Sequence, residues 1–200
     1  MKRALGLFIV ALWLWSPLAG ALPARDAEVL IKGTADTVIA RVKSERALLR
    51  RDSARLHRLV DELIIPHFDF ARMSQWVLGK HWHAANPGQR ARFISEFRTL
   101  LIKTYATALL EYADGEFRYY PARAVANTDI LTIRSDIAQP GSGVVPISYR
   151  MHVQDHRWKV YDVSVDGVSL VATYRASFAS EVRKSGIDGL ITNLAAKNAR

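Results

Sequence analysis

Within one unbroken stretch, Trp158 to Gly186, the spacing of apolar residues changes from that of a strand to that of a helix. From Trp158 to Val165 apolar side chains fall on both parities, Trp158 and Val160 on one and Tyr161, Val163 and Val165 on the other. Such a strand is either covered on both faces or bulged midway, and either way it belongs in the middle of a sheet. Beyond Gly167 the apolar positions become Val171, Tyr174, Phe178 and Val182. That is a helical stripe, predicted to stop at Ser185-Gly186, where glycine accepts the left-handed cap conformation. A two-faced strand with a helix folding back from its end can wall a deep apolar interior, filled either by protein or by a ligand.

The N-terminus has a different character. Lys2 and Arg3 precede twelve apolar residues at 4–15, Ser16-Pro17 breaks any helix, and Ala19-Gly20-Ala21 is a small-x-small cleavage site. Twelve apolar residues are too few to cross a bilayer, which takes about 20. The expectation is a secretory signal at 1–21, cleaved after Ala21, and a single domain over 22–200. With no cysteine there is neither a lipid-bearing thiol nor a disulfide, so the core alone must hold the domain together. Removing 1–21 takes two of the 28 basic residues and none of the 19 acidic ones, leaving 26 against 19, a net charge of +7. A basic exported protein suits anionic partners, but no basic run with interleaved aromatics marks nucleic acid as one.

Ile31, Ala35, Val38 and Val42 predict an amphipathic helix over 25–43, and Leu56, Leu59, Val60, Leu63 and Ile64 predict another from Ser53 to Ile65, stopped by Pro66. Asp69 is placed to cap a short helix ending at Gly79. Asn86-Pro87-Gly88-Gln89 reads as a capping box opening the longest helix, which Gly115 ends. Period two then takes over at Phe117 and Tyr119, at Leu131 to Ile137, and at Val145 to Val153. Pro140-Gly141-Ser142-Gly143 and Gln154-Asp155-His156 supply turns, so the last strands should form an antiparallel meander. The fold class is α+β: a four-stranded antiparallel sheet packed with several helices.

Special chemistry is not visible. His81-Trp82-His83 has no third ligand nearby, Gly141-Ser142-Gly143 has the wrong spacing and context for a nucleophile elbow, and no phosphate loop follows a strand. No catalytic or metal-binding residue is assigned. Apolar and aromatic positions stand out instead. Phe97, Leu101, Tyr105, Tyr149, Met151, Val163, Val171, Tyr174 and Phe178 all face inward by periodicity, a pattern that favours a plain packed core over a ligand cavity when read by itself. Arg134, Arg150 and Arg175 lie beside apolar positions, where they would ring a cavity mouth or form ordinary surface ion pairs.

Three segments together, PHFDFARMSQWVLGKHW (66–82), FRTLLIKTYATALLEY (97–112) and WKVYDVSVDGVSL with YRASFASEVRKSG, resemble the MlaC family of toluene-tolerance or ABC-transporter auxiliary proteins. The resemblance covers Ile31 to Asn198. It implies a periplasmic phospholipid carrier, a monomer with no cofactor beyond its cargo. It also implies partners: an outer-membrane lipoprotein complex, the lipid-binding subunit of an inner-membrane ABC transporter, and transient contact close to the membranes, in the service of outer-membrane lipid asymmetry. On that implication the nine inward residues become acyl-chain contacts, and the three arginines headgroup or docking residues. A hopanoid-carrying branch of the same family, a cavity enzyme and a solid adaptor remain alternatives.

Overall fold

The computed structural model describes residues 22–124, 129–139, 141 and 143–200. The expected signal at 1–21 lies outside the described residues, as do Pro140 and Ser142 of the expected turn. Six helices and one sheet follow in the order α1 (Ala24–Arg51), α2 (Ser53–Leu63), a 3-10 turn (Ile65–His67), α3 (Phe70–Leu78), α4 (Lys80–Ala84), α5 (Pro87–Tyr112), β1 (Glu116–Ala124), β2 (Ile130–Gln139), β3 (Gly143–Gln154), β4 (Arg157–Val165), β5 (Val168–Ser169) and α6 (Leu170–Asn198). No helix among the described residues is long and apolar enough to cross a membrane.

Local signals set most boundaries. The Asp69 carboxylate accepts from the Arg72 backbone N–H at 2.8 Å and starts α3. At α5, Asn86 Oδ1 accepts from Gln89 N–H at 2.8 Å while Gln89 Oε1 accepts from Asn86 N–H at 2.9 Å, a complete capping box. Helix α1 runs past the expected end at 43 to Arg51, because the polar Ser44-Glu45-Arg46 turn only interrupts an apolar stripe that resumes at the buried Leu49. At Gly186 (φ 72, ψ 179) the backbone leaves helical geometry, so the stop expected at Ser185-Gly186 is present as a kink that divides α6 into two helical halves.

The sheet is antiparallel with strands in the order β1-β2-β3-β4-β5, one more than the four expected. The extra strand comes from the turn. Asp166 (φ 51) and Gly167 (φ 77) both take positive φ, the signature of a two-residue hairpin whose twist matches its strands. The chain thus pairs Val165 with Val168 before it turns into α6.

Strand β4 carries the bulge that its double parity allowed. Arg150 pairs with Asp162 but Met151 pairs with Val160, leaving Tyr161 as the extra residue. The slip of one residue restores Val163 to the face that already holds Trp158 and Val160, and it turns Tyr161 to the opposite face. Two cores result on that strand. Trp158, Val160, Met151, Leu131 and Ile133 pack under α1, while Tyr161 joins Phe70, Met73, Phe93, Phe97, Val171 and Phe178 between α3, α5 and α6.

The start of α6 is bolted to the same bulge. Asp162, 2 % exposed, accepts from Ser169 Oγ at 2.7 Å and from the Val171 N–H at 3.1 Å, while Ser169 Oγ accepts from the Ala172 N–H as the N-cap. On the outer face of β3, buried His152 donates from Nε2 to Asp69 Oδ2 at 2.9 Å and accepts at Nδ1 from Arg72 at 3.0 Å. Both ring nitrogens are satisfied only when the imidazole is neutral.

Burial, and then the Arg72 charge, lower the His152 pKa; burial followed by Lys159 lowers that of His67, and burial followed by Lys103 that of His57. Below about pH 6.5 the unfolded chain therefore binds protons that the folded one refuses, so stability contributed by these groups is present above that value and lost as pH falls through it. The urea midpoint should be lower at pH 5.5 than at pH 7.5, and His152→Gln should shrink the difference. Equal midpoints at the two pH values would contradict this account.

Candidate functional site

Between the inner face of the sheet and helices α1, α2 and α5 lies a cavity of about 680 Å³. Buried residues form much of its wall: Ile31, Val38 and Val42 of α1, Val60 of α2, Phe70 and Met73 of α3, Ile102 and Ala106 of α5, and Val160 of β4. The cavity is also open to solvent. Lining residues that are exposed, Tyr105, Glu111, Val165, Val168 and Thr173, gather where the C-terminal half of α5 faces the ends of β4, β5 and the first turn of α6. Exposed valines at a cavity rim cost solvation free energy that a solid core would have saved.

The wall is apolar because strand parity makes it so. Phe117, Ile137, Val145, Ile147, Tyr149 and Val163 alternate with residues of the outer face, and the bulge at Tyr161 keeps Val160 and Val163 in the same row. Its charged or chargeable groups are few. His67, Glu111, Tyr105, Tyr112 and Tyr149 line it, and no lysine or arginine does among the described residues. Burial, then the neighbouring Tyr105 hydroxyl, push the Tyr174 phenol up to about 12, and burial raises that of Tyr149. Both rings are neutral at physiological pH.

Of the nine expected acyl contacts, the structure brings Leu101, Tyr105, Tyr149 and Val163 to the cavity wall. It places Phe97, Val171, Tyr174 and Phe178 in the packed cluster between α3, α5 and α6, and Met151 in the cluster under α1. Phe97 stacks on Phe93 with ring centres 5.7 Å apart and meets Tyr174 and Phe178 edge-on at 5.4 and 5.9 Å. The three arginines are not on the wall. Arg134 and Arg150 alternate with the inward residues of β2 and β3 and so point to the outer face, Arg134 over the Tyr120 ring and Arg150 over those of Trp76 and Tyr161. Arg175 of α6 lies against Gly79, where a Cβ would meet its guanidinium at 3.2 Å. Helix α1 supplies a stretch of the wall, Ile31 to Val42, that the sequence did not mark as ligand-facing. Its apolar stripe was legible, but nothing in its spacing says that it faces a void.

Among the described residues no group of three histidines or carboxylates is placed to hold a metal ion.

The model of the family described as MlaC protein matches residues 32–196. The chain belongs to the MlaC family. Among MlaC relatives, the intermembrane phospholipid transport system binding protein MlaC of Haemophilus influenzae is 26% identical over 170 residues, 83% of this chain and 79% of that protein. The toluene tolerance protein ttg2D of Pseudomonas putida is 23% identical over 160 residues, 80% of this chain and 74% of that one. A phospholipid-binding protein from Ralstonia solanacearum, solved in complex with a phospholipid, superposes with a TM-score of 0.79 at 34% identity, covering 87% of this chain and 97% of the other. The α+β architecture of this MlaC chain is thus shared with that structure.

Proposed function

We propose that the protein is a soluble phospholipid carrier of the periplasm, enclosing acyl chains in the cavity while the headgroup stays at the mouth. In this reading it takes lipid between an outer-membrane lipoprotein complex and an inner-membrane ABC transporter and so helps keep the outer membrane asymmetric. The observation that carries it is the cavity itself. Unoccupied, a space of about 680 Å³ walled almost wholly by apolar side chains and open to solvent leaves that apolar surface against water, and each Å² of it that an apolar occupant covers is worth about 25 cal/mol. The space suits an apolar occupant. A two-chain lipid with roughly 30 CH₂ groups faces an aqueous penalty on the order of 20 kcal/mol, at about 0.8 per group, which enclosure removes without any catalytic step. Arg134, Arg150 and Arg175 serve, in this reading, as docking cations for anionic surfaces rather than as headgroup ligands.

Native mass spectrometry of protein purified without added lipid, with thin-layer analysis of its extract, is expected to show roughly one phospholipid per chain. Mixed with anionic vesicles, the same preparation should exchange lipid faster at low salt than at high salt if those arginines steer docking. Protein that holds no lipid and cannot take any from vesicles would refute the carrier. Turnover of the bound lipid would point to an enzyme using the same cavity.

A further inference from the structure

We infer that the cavity mouth prefers phospholipids whose headgroup carries an ammonium, recognised by the Glu111 carboxylate and the C-terminal end of α5. The inference rests on the carrier reading above and adds the class of cargo to it.

Two independent observations place negative potential at the mouth. Glu111 is the one carboxylate on the cavity lining; it is exposed and has no ion pair among the described residues. Its neighbour Asp114, by contrast, is already neutralised by Arg46 at 2.6 Å. The second observation is the helix end. Helix α5 stops at Tyr112 with no basic residue in its last turn. The carbonyl ends of a helix carry about half a negative charge and favour a cation within a turn of the end. The Glu111 carbonyl is tied to Gln139 Nε2 at 2.7 Å, which fixes this end of α5 against the end of β2.

Nothing on the wall offsets this potential, since no lysine or arginine lines the cavity among the described residues. Two phenol rings on the same stretch, Tyr105 and Tyr112, add to it, because aromatic faces attract ammonium groups. A headgroup of net negative charge therefore meets repulsion at the mouth. A zwitterionic one can set its ammonium beside Glu111 and leave its phosphate in water.

The test is a competition. Protein stripped of lipid is incubated with vesicles of equimolar phosphatidylethanolamine and phosphatidylglycerol with identical acyl chains, and the headgroup ratio of the bound lipid is read by mass spectrometry. The ethanolamine lipid should be enriched by about twofold to fivefold, the scale of one exposed charge pair. Glu111→Gln should bring the ratio close to that of the vesicle, Glu111→Lys should push it toward the glycerol lipid, and high salt should flatten all three. The ratio is read per bound lipid, so a change in total occupancy does not disturb it. Bound lipid whose composition is the same in all three proteins would overturn this inference and leave the carrier reading standing. Protein that binds neither lipid would remove both.

Discussion

Val163→Trp is expected to leave the protein folded and strip it of lipid, whereas Val171→Trp should weaken the fold and leave the lipid content of each folded molecule unchanged. The two valines sit eight residues apart at the ends of the β4–α6 connection, and both looked inward in the sequence. Val163 lines the cavity on the row restored by the Tyr161 bulge, so an indole there has empty space to enter and takes the room an acyl chain needs. Val171 is 7 % exposed and packed in the cluster between α3, α5 and α6, with its own N–H held by the Asp162 carboxylate. Extra volume in packed surroundings costs about 1–3 kcal/mol. At Val171 that cost is subtracted from stability and should be seen as a lowered melting temperature. At Val163 it is subtracted from binding, so lipid retention should fall by about tenfold or more. A Val163→Trp protein that keeps its full complement of lipid while merely melting earlier would place that residue in ordinary core and undo the cavity assignment.

Phe97→Ala should be among the most damaging single changes available, lowering stability by about 3–5 kcal/mol. The ring is fully buried, stacked on Phe93 and met edge-on by Tyr174 and Phe178, so truncation leaves a hole bounded by aromatic faces that cannot collapse into it. With a urea slope of about 2 kcal/mol/M, the unfolding midpoint should move down by roughly 2 M. The sequence offered Phe97 as an acyl contact, and this variant separates the two roles. Loss of bound lipid at unchanged stability would return Phe97 to the cavity wall.

Much of the fold was written locally. A cap needs only residues three apart, so Asp69 and the Asn86/Gln89 box could be read before any tertiary contact was known. Alternation along β2 and β3 likewise requires nothing beyond the pleat of one strand, and the double parity of β4 announced either a two-sided strand or a bulge. The family resemblance, too, was carried by three contiguous segments, and the match over 32–196 agrees with it.

Other features depend on how far apart two packed faces stand, and a hydrophobic period carries no information about that distance. Tyr105 and Phe97 lie on the same helix two turns apart, yet one borders the cavity mouth while the other is packed among Phe93, Tyr174 and Phe178 in the solid cluster. Helix α1 shows an ordinary amphipathic stripe, and only its position across from β3 and β4 makes Ile31, Val38 and Val42 a cavity wall. Their apolar neighbours in sequence allowed the arginines either a cavity mouth or ordinary surface ion pairs, but neighbours along a strand point to opposite faces, which sends Arg134 and Arg150 outward. Glu111 illustrates the converse. In sequence it is one of 19 acidic residues, and it gains its place at the mouth only because α5 ends beside β2 at the open end of the cavity. Patterns one or two turns long are set by backbone geometry and were decided by the sequence alone. A void arises where elements distant in the chain fail to meet, and only the assembled structure decides where that happens.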